Sequence, residues 1–194
     1  MIVKNKYATY VANEFASKFR VHAQRWLAPD APAVDNVLAS TLLTTAVQTV
    51  TTGITQPDFP RILCVDGGDG NVTGNVVITG TDIRGNVISN TIALSGTNTV
   101  NGTKAFKTVT SIRLPVYAVA GTETVSVGVS DKLGLEMIPY IAVAISAHHG
   151  ATLEGTLPTI TLGATIDLCV ADFNSACAAD HDQHVVYYTA DQPS

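Results

Sequence analysis

Between residues 73 and 116 the chain repeats one device: short runs of valine, isoleucine and threonine, each cut off by glycine and asparagine, as in TGNVVITGTDIRGNVISNTIALSGTNTVNGTKAFKTVTSIRLPV. β-Branched residues are stiff at χ1 and suit a pleated, half-buried surface. Asparagine and glycine tolerate the positive φ that two-residue turns demand. The pattern therefore predicts antiparallel strands joined by tight turns.

Period-two reading extends this along the chain. Val76 and Ile78 share a face, and Ile88, Ile92 and Leu94 share a face of the next strand, the two being joined at Asp82, Ile83, Arg84 and Gly85. After an expected turn around Asn101 and Gly102, Phe106, Thr108, Thr110, Ile112 and Leu114 alternate with Lys107, Val109, Ser111 and Arg113, which places the second set on a wet face. Val125, Val127 and Val129 make another strand, residues 130–135 (SDKLGL) read as a turn with an aliphatic follow-on, and Ile141, Val143 and Ile145 alternate again. So do Ile160 with Leu162, Ile166 and Leu168 with Val170, and residues 185–188. About eight to ten strands at this spacing, without β-helix-β alternation, predict a mainly β chain: an antiparallel β-sandwich or an Ig-like or jelly-roll-like barrel.

The first residues read differently. Over residues 7–27, Val11, Phe15, Phe19, His22 and Trp26 recur at intervals of three and four, which predicts an amphipathic helix stopped by Pro29. Residues 1–38 are expected to form a helical arm and linker, and residues 39–194 the β-sandwich body. Residues 1–28 carry a net charge of +4 and the rest of the chain −9, so arm and body have opposite sign. Phe15, Phe19 and Trp26, with Lys18, Arg20 and Arg25 beside them, are the expected interface residues, because buried aromatics dominate interfaces and cations steer towards acidic partners.

Charged residues make up only 14% of the 194-residue chain, against roughly 25% in soluble domains, which suits a surface covered by partners. The formal net charge of −5 argues against direct nucleic-acid binding, which needs clustered lysine and arginine. No stretch approaches the roughly 18 apolar residues that span a bilayer, and the start lacks the apolar core of a secretion signal, so no membrane association is expected. Cys64, Cys169 and Cys177 are too scattered for a disulfide framework.

Chemistry is sparsely signalled. Cys177, His181 and His184 are the weak candidates for a metal site, but on a strand His181 and His184 would face opposite ways. The run Asp66 to Asn71 lacks the one-three-five spacing and final glutamate of a calcium loop and reads as a plain turn. His148 and His149 precede a glycine in a loop, and no nucleophile elbow accompanies any histidine. No catalytic residue and no cofactor is expected.

From TTGITQPDFPR through TGNVVITGTD, TIALSGTNTVNGTKAFKTVTSI and VSVGVSDKLGL, covering about Thr51 to Leu135, the order of phrases resembles structural proteins of tailed bacteriophages. The chain departs from that pattern at Glu136 and Met137. The resemblance implies a virion component made in the host cytoplasm, most like a capsid decoration or cement protein on the outer shell. Its partners would be the major capsid protein, other virion proteins and further copies of itself. A neck, tail or fibre position and a carbohydrate-binding β-sandwich are the alternatives, the latter using Tyr117, Tyr140, Tyr187 and Tyr188.

Overall fold

The computed structural model describes residues 19–119 and 121–190. Fourteen strands among the described residues form three sheets, and the paired strands are antiparallel. The first sheet runs β1 (Phe19–Trp26), β14 (Gln183–Ala190), β10 (Pro139–His149), β11 (Thr152–Leu153). The second runs β12 (Thr159–Thr161), β13 (Val170–Asp172), β9 (Thr124–Gly134), β4 (Arg61–Gly67), β7 (Val100–Phe106), with β2 (Ala33–Leu42) also paired to β9. The third runs β3 (Gln48–Val50), β8 (Thr108–Leu114), β5 (Asn75–Thr81), β6 (Val87–Ala93). The chain is thus mainly β and antiparallel, as its alternation predicts.

Long β9 holds these layers together because its two halves serve different cores. Val125, Val127 and Val129 pack with Leu63 and Val65 of β4, Val76 and Ile78 of β5, and Ile112 and Leu114 of β8. Further along, Leu133 joins a second core with Trp26, Ala147, Val185 and Tyr187 from the first sheet and Ile160 and Ala171 from β12 and β13. A buried arginine ties the halves together: the Arg61 guanidinium donates to the Ser130 carbonyl from Nε and Nη2 at 3.0 and 2.7 Å, and from Nη1 to the Asp30 carbonyl and to Asp58. Each of its donors of this kind replaces water with a fixed acceptor, which is what makes full burial of the charge tolerable.

The β5–β6 hairpin forms where its turn residues sit. Asp82 Oδ1 accepts from the backbone N–H groups of Arg84 and Asn86 at 2.8 and 2.9 Å, and Gly85 takes φ +83°. An aspartate closing its own turn in this way is the reason the residue type recurs at such positions.

Five sequence expectations are corrected. Residues 19–26 are not helical: they form β1, paired along its whole length with β14. The spacing of His22 and Trp26 fits a strand equally well, since both are even-numbered and face inward with Gln24, and the pairing with β14 satisfies the backbone. The rest of the predicted helix, including Phe15 and Lys18, lies outside the described residues. The expected arm boundary at residue 38 falls inside β2. Residues 130–134 are not a turn but the end of β9, held on one edge by β4 (Arg61 opposite Leu133) and on the other by β13 (Ala171 opposite Leu133). The turn expected at Asn101 and Gly102 sits earlier, at Ser95 to Asn98, and Gly102 lies within β7, where a Cβ would come within 2.4 Å of the Asn90 side chain. Finally, Val109 is buried rather than wet, because a bulge takes Thr110 out of the β5–β8 register and reverses the phase of the strand.

Candidate functional site

Two features of the first sheet stand out. Its outer face carries Val21, Ala23 and Arg25 from β1 opposite Tyr188, Val186 and His184 from β14. β10 continues it with Val143 and Ile145, which flank the inward Ala144 and are 50% and 39% exposed. The register of β10 against β14 breaks between Pro139 and Ala144, and Tyr140, Ile141 and Val143 are all exposed along this loosened stretch. Apolar side chains are therefore presented to solvent on consecutive positions, an arrangement that a strand buried on one face does not produce.

A polar cleft of about 670 Å³ lies at the other end of the same sheet. It is built where β10 ends: Gly150 turns the chain at φ +60°, its N–H bonds to the Asp182 carbonyl at 2.8 Å, and β11 folds back so that the Glu154 N–H reaches the Ala147 carbonyl at 2.9 Å. The opposite wall is the loop of residues 173–182, closed by the bridge between Ala178 and His181. His149, Glu154, Ser175, Asp180 and His181 line the space between them. The His149 and His181 rings lie 4.6 Å apart between centroids, tilted by 50°. His181 Nδ1 and Asp180 Oδ1 are 2.7 Å apart, and that bond holds the Asp180 carboxyl below the usual carboxylate range.

Two residues that line the cleft carry buried polar atoms with no hydrogen-bond partner, both carboxylate oxygens of Glu154 and Nε2 of His149; Oε1 of Gln183, outside the lining, has none either. Gln183 stands directly opposite His149 in the β10–β14 ladder and is fully buried, and its Nε2 donates to the Ser175 carbonyl at 3.2 Å. The clefts elsewhere differ. One of about 310 Å³ contains the Lys132–Asp172 pair at 3.1 Å, and one of about 410 Å³ the Lys104–Asp167 pair at 3.2 Å, so these cations and carboxylates already answer each other.

The residues singled out in the sequence scatter. Cys177 is buried; its N–H bonds to Asp131 Oδ1 at 3.1 Å, and burial pushes its thiol up to about 12, so it stays a neutral thiol rather than a thiolate ligand. His181 faces the cleft, whereas His184 lies on the outer face of β14, opposite Arg25 and His148. The three metal candidates do not converge, and no group of three or more histidine, cysteine, aspartate or glutamate side chains among the described residues is arranged to hold a metal ion. Cys64, Cys169 and Cys177 are free and buried. Asp69 closes the glycine-rich turn by accepting from the Asn71 N–H at 2.8 Å.

Of the expected interface residues, Phe15 and Lys18 lie outside the described residues, and Phe19 and Arg20 begin β1. Arg25 pairs with Asp182, whose other oxygen accepts from the Ala28 N–H at 2.9 Å; the bond to Arg25 holds that carboxyl below its ordinary range. Trp26 is 1% exposed and packs edge-on against Phe173 at 5.7 Å between centroids, which makes it part of the protein's own core instead of an anchor for a partner.

Glu154, Ser175 and Gln183 carried no signal as a site. A trace existed only in Gln183, an amide in phase with the buried Val185 and Tyr187, where an apolar residue is the rule. Comparison with protein-family models, with curated proteins and with solved structures finds no match to this chain.

Proposed function

We propose that this protein is a structural component of a tailed-bacteriophage virion, a capsid decoration protein that binds the major capsid protein on the outer shell and packs beside further copies of itself. The observation that carries the reading is the exposed apolar face of β1, β14 and β10, with Val21, Tyr140, Ile141, Val143 and Ile145 in water. An isolated chain gains nothing from that face, whereas an assembly buries it at about 25 cal/mol per Å² of apolar surface. Two sequence properties support it: the phrase order from Thr51 to Leu135, and a charged fraction of 14%, which leaves few charges to desolvate on contact. The interface roles of Phe15, Lys18, Phe19 and Arg20 belong to the same reading. A neck, tail or fibre position uses the same surface, and copy number near that of the capsid protein separates decoration from those.

The test is co-sedimentation of the purified protein with assembled, undecorated shells. Binding that is saturable at a fixed ratio to capsid protein, and that falls at least tenfold for Val143→Asp with Ile145→Asp, is the expected result. A folded protein that stays in the supernatant, or a variant that binds as well as the parent, overturns the reading.

A further inference from the structure

We infer that the cleft between the β10–β11 turn and the loop before β14 is a receptor for a guanidinium group. This assignment stands on the cleft alone and does not depend on the virion reading. Both oxygens of the Glu154 carboxylate and Nε2 of His149, two residues that line this cleft, lack partners. Leaving a buried polar group unbonded costs about 1–3 kcal/mol, and more when the group is charged. Two such residues lining one cleft mark a place where the missing partner comes from outside the chain.

The chemistry of that partner follows from what is missing. The two Glu154 oxygens are hydrogen-bond acceptors, and Asp180 adds a second carboxylate. No lysine or arginine lines the cleft to answer them. The complement is therefore a cation rich in donors. A metal ion is disfavoured, since the described histidines and carboxylates present no three-ligand arrangement. An ammonium is a compact point charge with three donors on one atom. A guanidinium is planar, meets both oxygens of a carboxylate at once, and keeps further N–H groups for a second carboxylate. The tilted His149 and His181 rings, 4.6 Å apart, give its flat face a surface to stack on. A volume of about 670 Å³ holds the group with its stem.

The guanidinium can arrive on a free small molecule or on an arginine of another protein, and the experiment distinguishes them. The full-length chain, labelled with 15N, is titrated with agmatine, with the tripeptide Gly-Arg-Gly, with butylamine and with zinc chloride, and amide shifts are mapped. Agmatine or the tripeptide should move the amides of residues 149–155 and 175–183. Shifts with both point to the shared group, and shifts with the tripeptide alone assign the source to a protein-borne arginine. Butylamine should bind at least about tenfold more weakly, and Glu154→Gln should weaken agmatine or tripeptide binding by about tenfold or more, whereas Asp35→Asn, an exposed carboxylate on β2, should not. No localised shifts with either guanidinium ligand, equal binding of butylamine, cleft shifts with zinc alone, or undiminished binding by Glu154→Gln overturns the assignment. Should Glu154→Gln fail to fold, the wild-type map and the comparison with butylamine decide.

Discussion

Trp26→Ala separates two accounts of the start of the chain. As an anchor on an exposed arm, Trp26 would be dispensable for folding; as found, it is 1% exposed in the second core and meets Phe173 edge-on at 5.7 Å and 86°. Truncating a buried tryptophan removes its transfer free energy and leaves a cavity, at a cost of about 3–5 kcal/mol. The aromatic pair accounts for about 0.5–1.5 kcal/mol of this. Domains of this kind have only about 5–15 kcal/mol in total, so the loss is a large fraction of the whole. With a urea slope of about 2 kcal/mol per molar, the unfolding midpoint should fall by about 1.5–2.5 M. The measurement is equilibrium urea unfolding followed by circular dichroism, so that the lost tryptophan fluorescence does not bias the comparison. A Phe173→Leu partner completes a double-mutant cycle, whose coupling should match the aromatic term. A Trp26→Ala protein with the parent's midpoint would show that this side chain does not hold the core together, and β1 would have to be docked by its backbone alone.

Arg61→Ala should destabilise the protein by about 3–5 kcal/mol, because it strands the Ser130 and Asp30 carbonyls and leaves Asp58 without its cation, with only the Asp30 N–H still donating to it; Arg61→Lys should recover only part of this in the same urea assay, since one ammonium cannot match the fork. Asp82→Ala should cost about 1–3 kcal/mol by freeing the Arg84 and Asn86 N–H groups, and amide exchange at the tip of the β5–β6 hairpin should quicken. For His184, burial first, then Arg25 and His148, outweigh Asp182 and hold the imidazole below its ordinary pKa. The unfolded chain therefore binds that proton more readily than the folded one, and stability falls as pH drops from about 7.5 to about 5 through the ordinary histidine range. His184→Gln should lose less stability than the parent over that interval in paired urea titrations; an equal loss would refute the role given to this histidine.

How far the residues alone reach can be seen strand by strand. The β5–β6 hairpin was legible because its determinants are local: Asp82 and Gly85 set the turn, and Val76, Ile78, Ile88 and Ile92 recur in phase with the pleat on either side. The misreadings arise where partners are remote. β1 satisfies both a helical and a strand period in His22 and Trp26, and only pairing with a strand more than 150 residues later selects the strand. Val109 changes face through a bulge against β5, which no local alternation encodes. Ser130 to Gly134 has the composition of a turn, yet it is straightened by pairing on both edges.

Candidate function divides in the same way. Histidines 149 and 181 are visible in the sequence as polar punctuation, but their approach to 4.6 Å, and the gathering of Glu154, Ser175 and Gln183 around them, exists only once β10, β11 and β14 are in register. What the sequence by itself determined is the class of structure: β-branched alternation and glycine, asparagine and aspartate turns act over a few residues, within reach of local sterics. Which face each strand presents, the division of the core about β9, and the convergence of unpaired polar atoms were decided by the tertiary structure, because pairing across long loops overrides local preference wherever burial and backbone hydrogen bonds outweigh it.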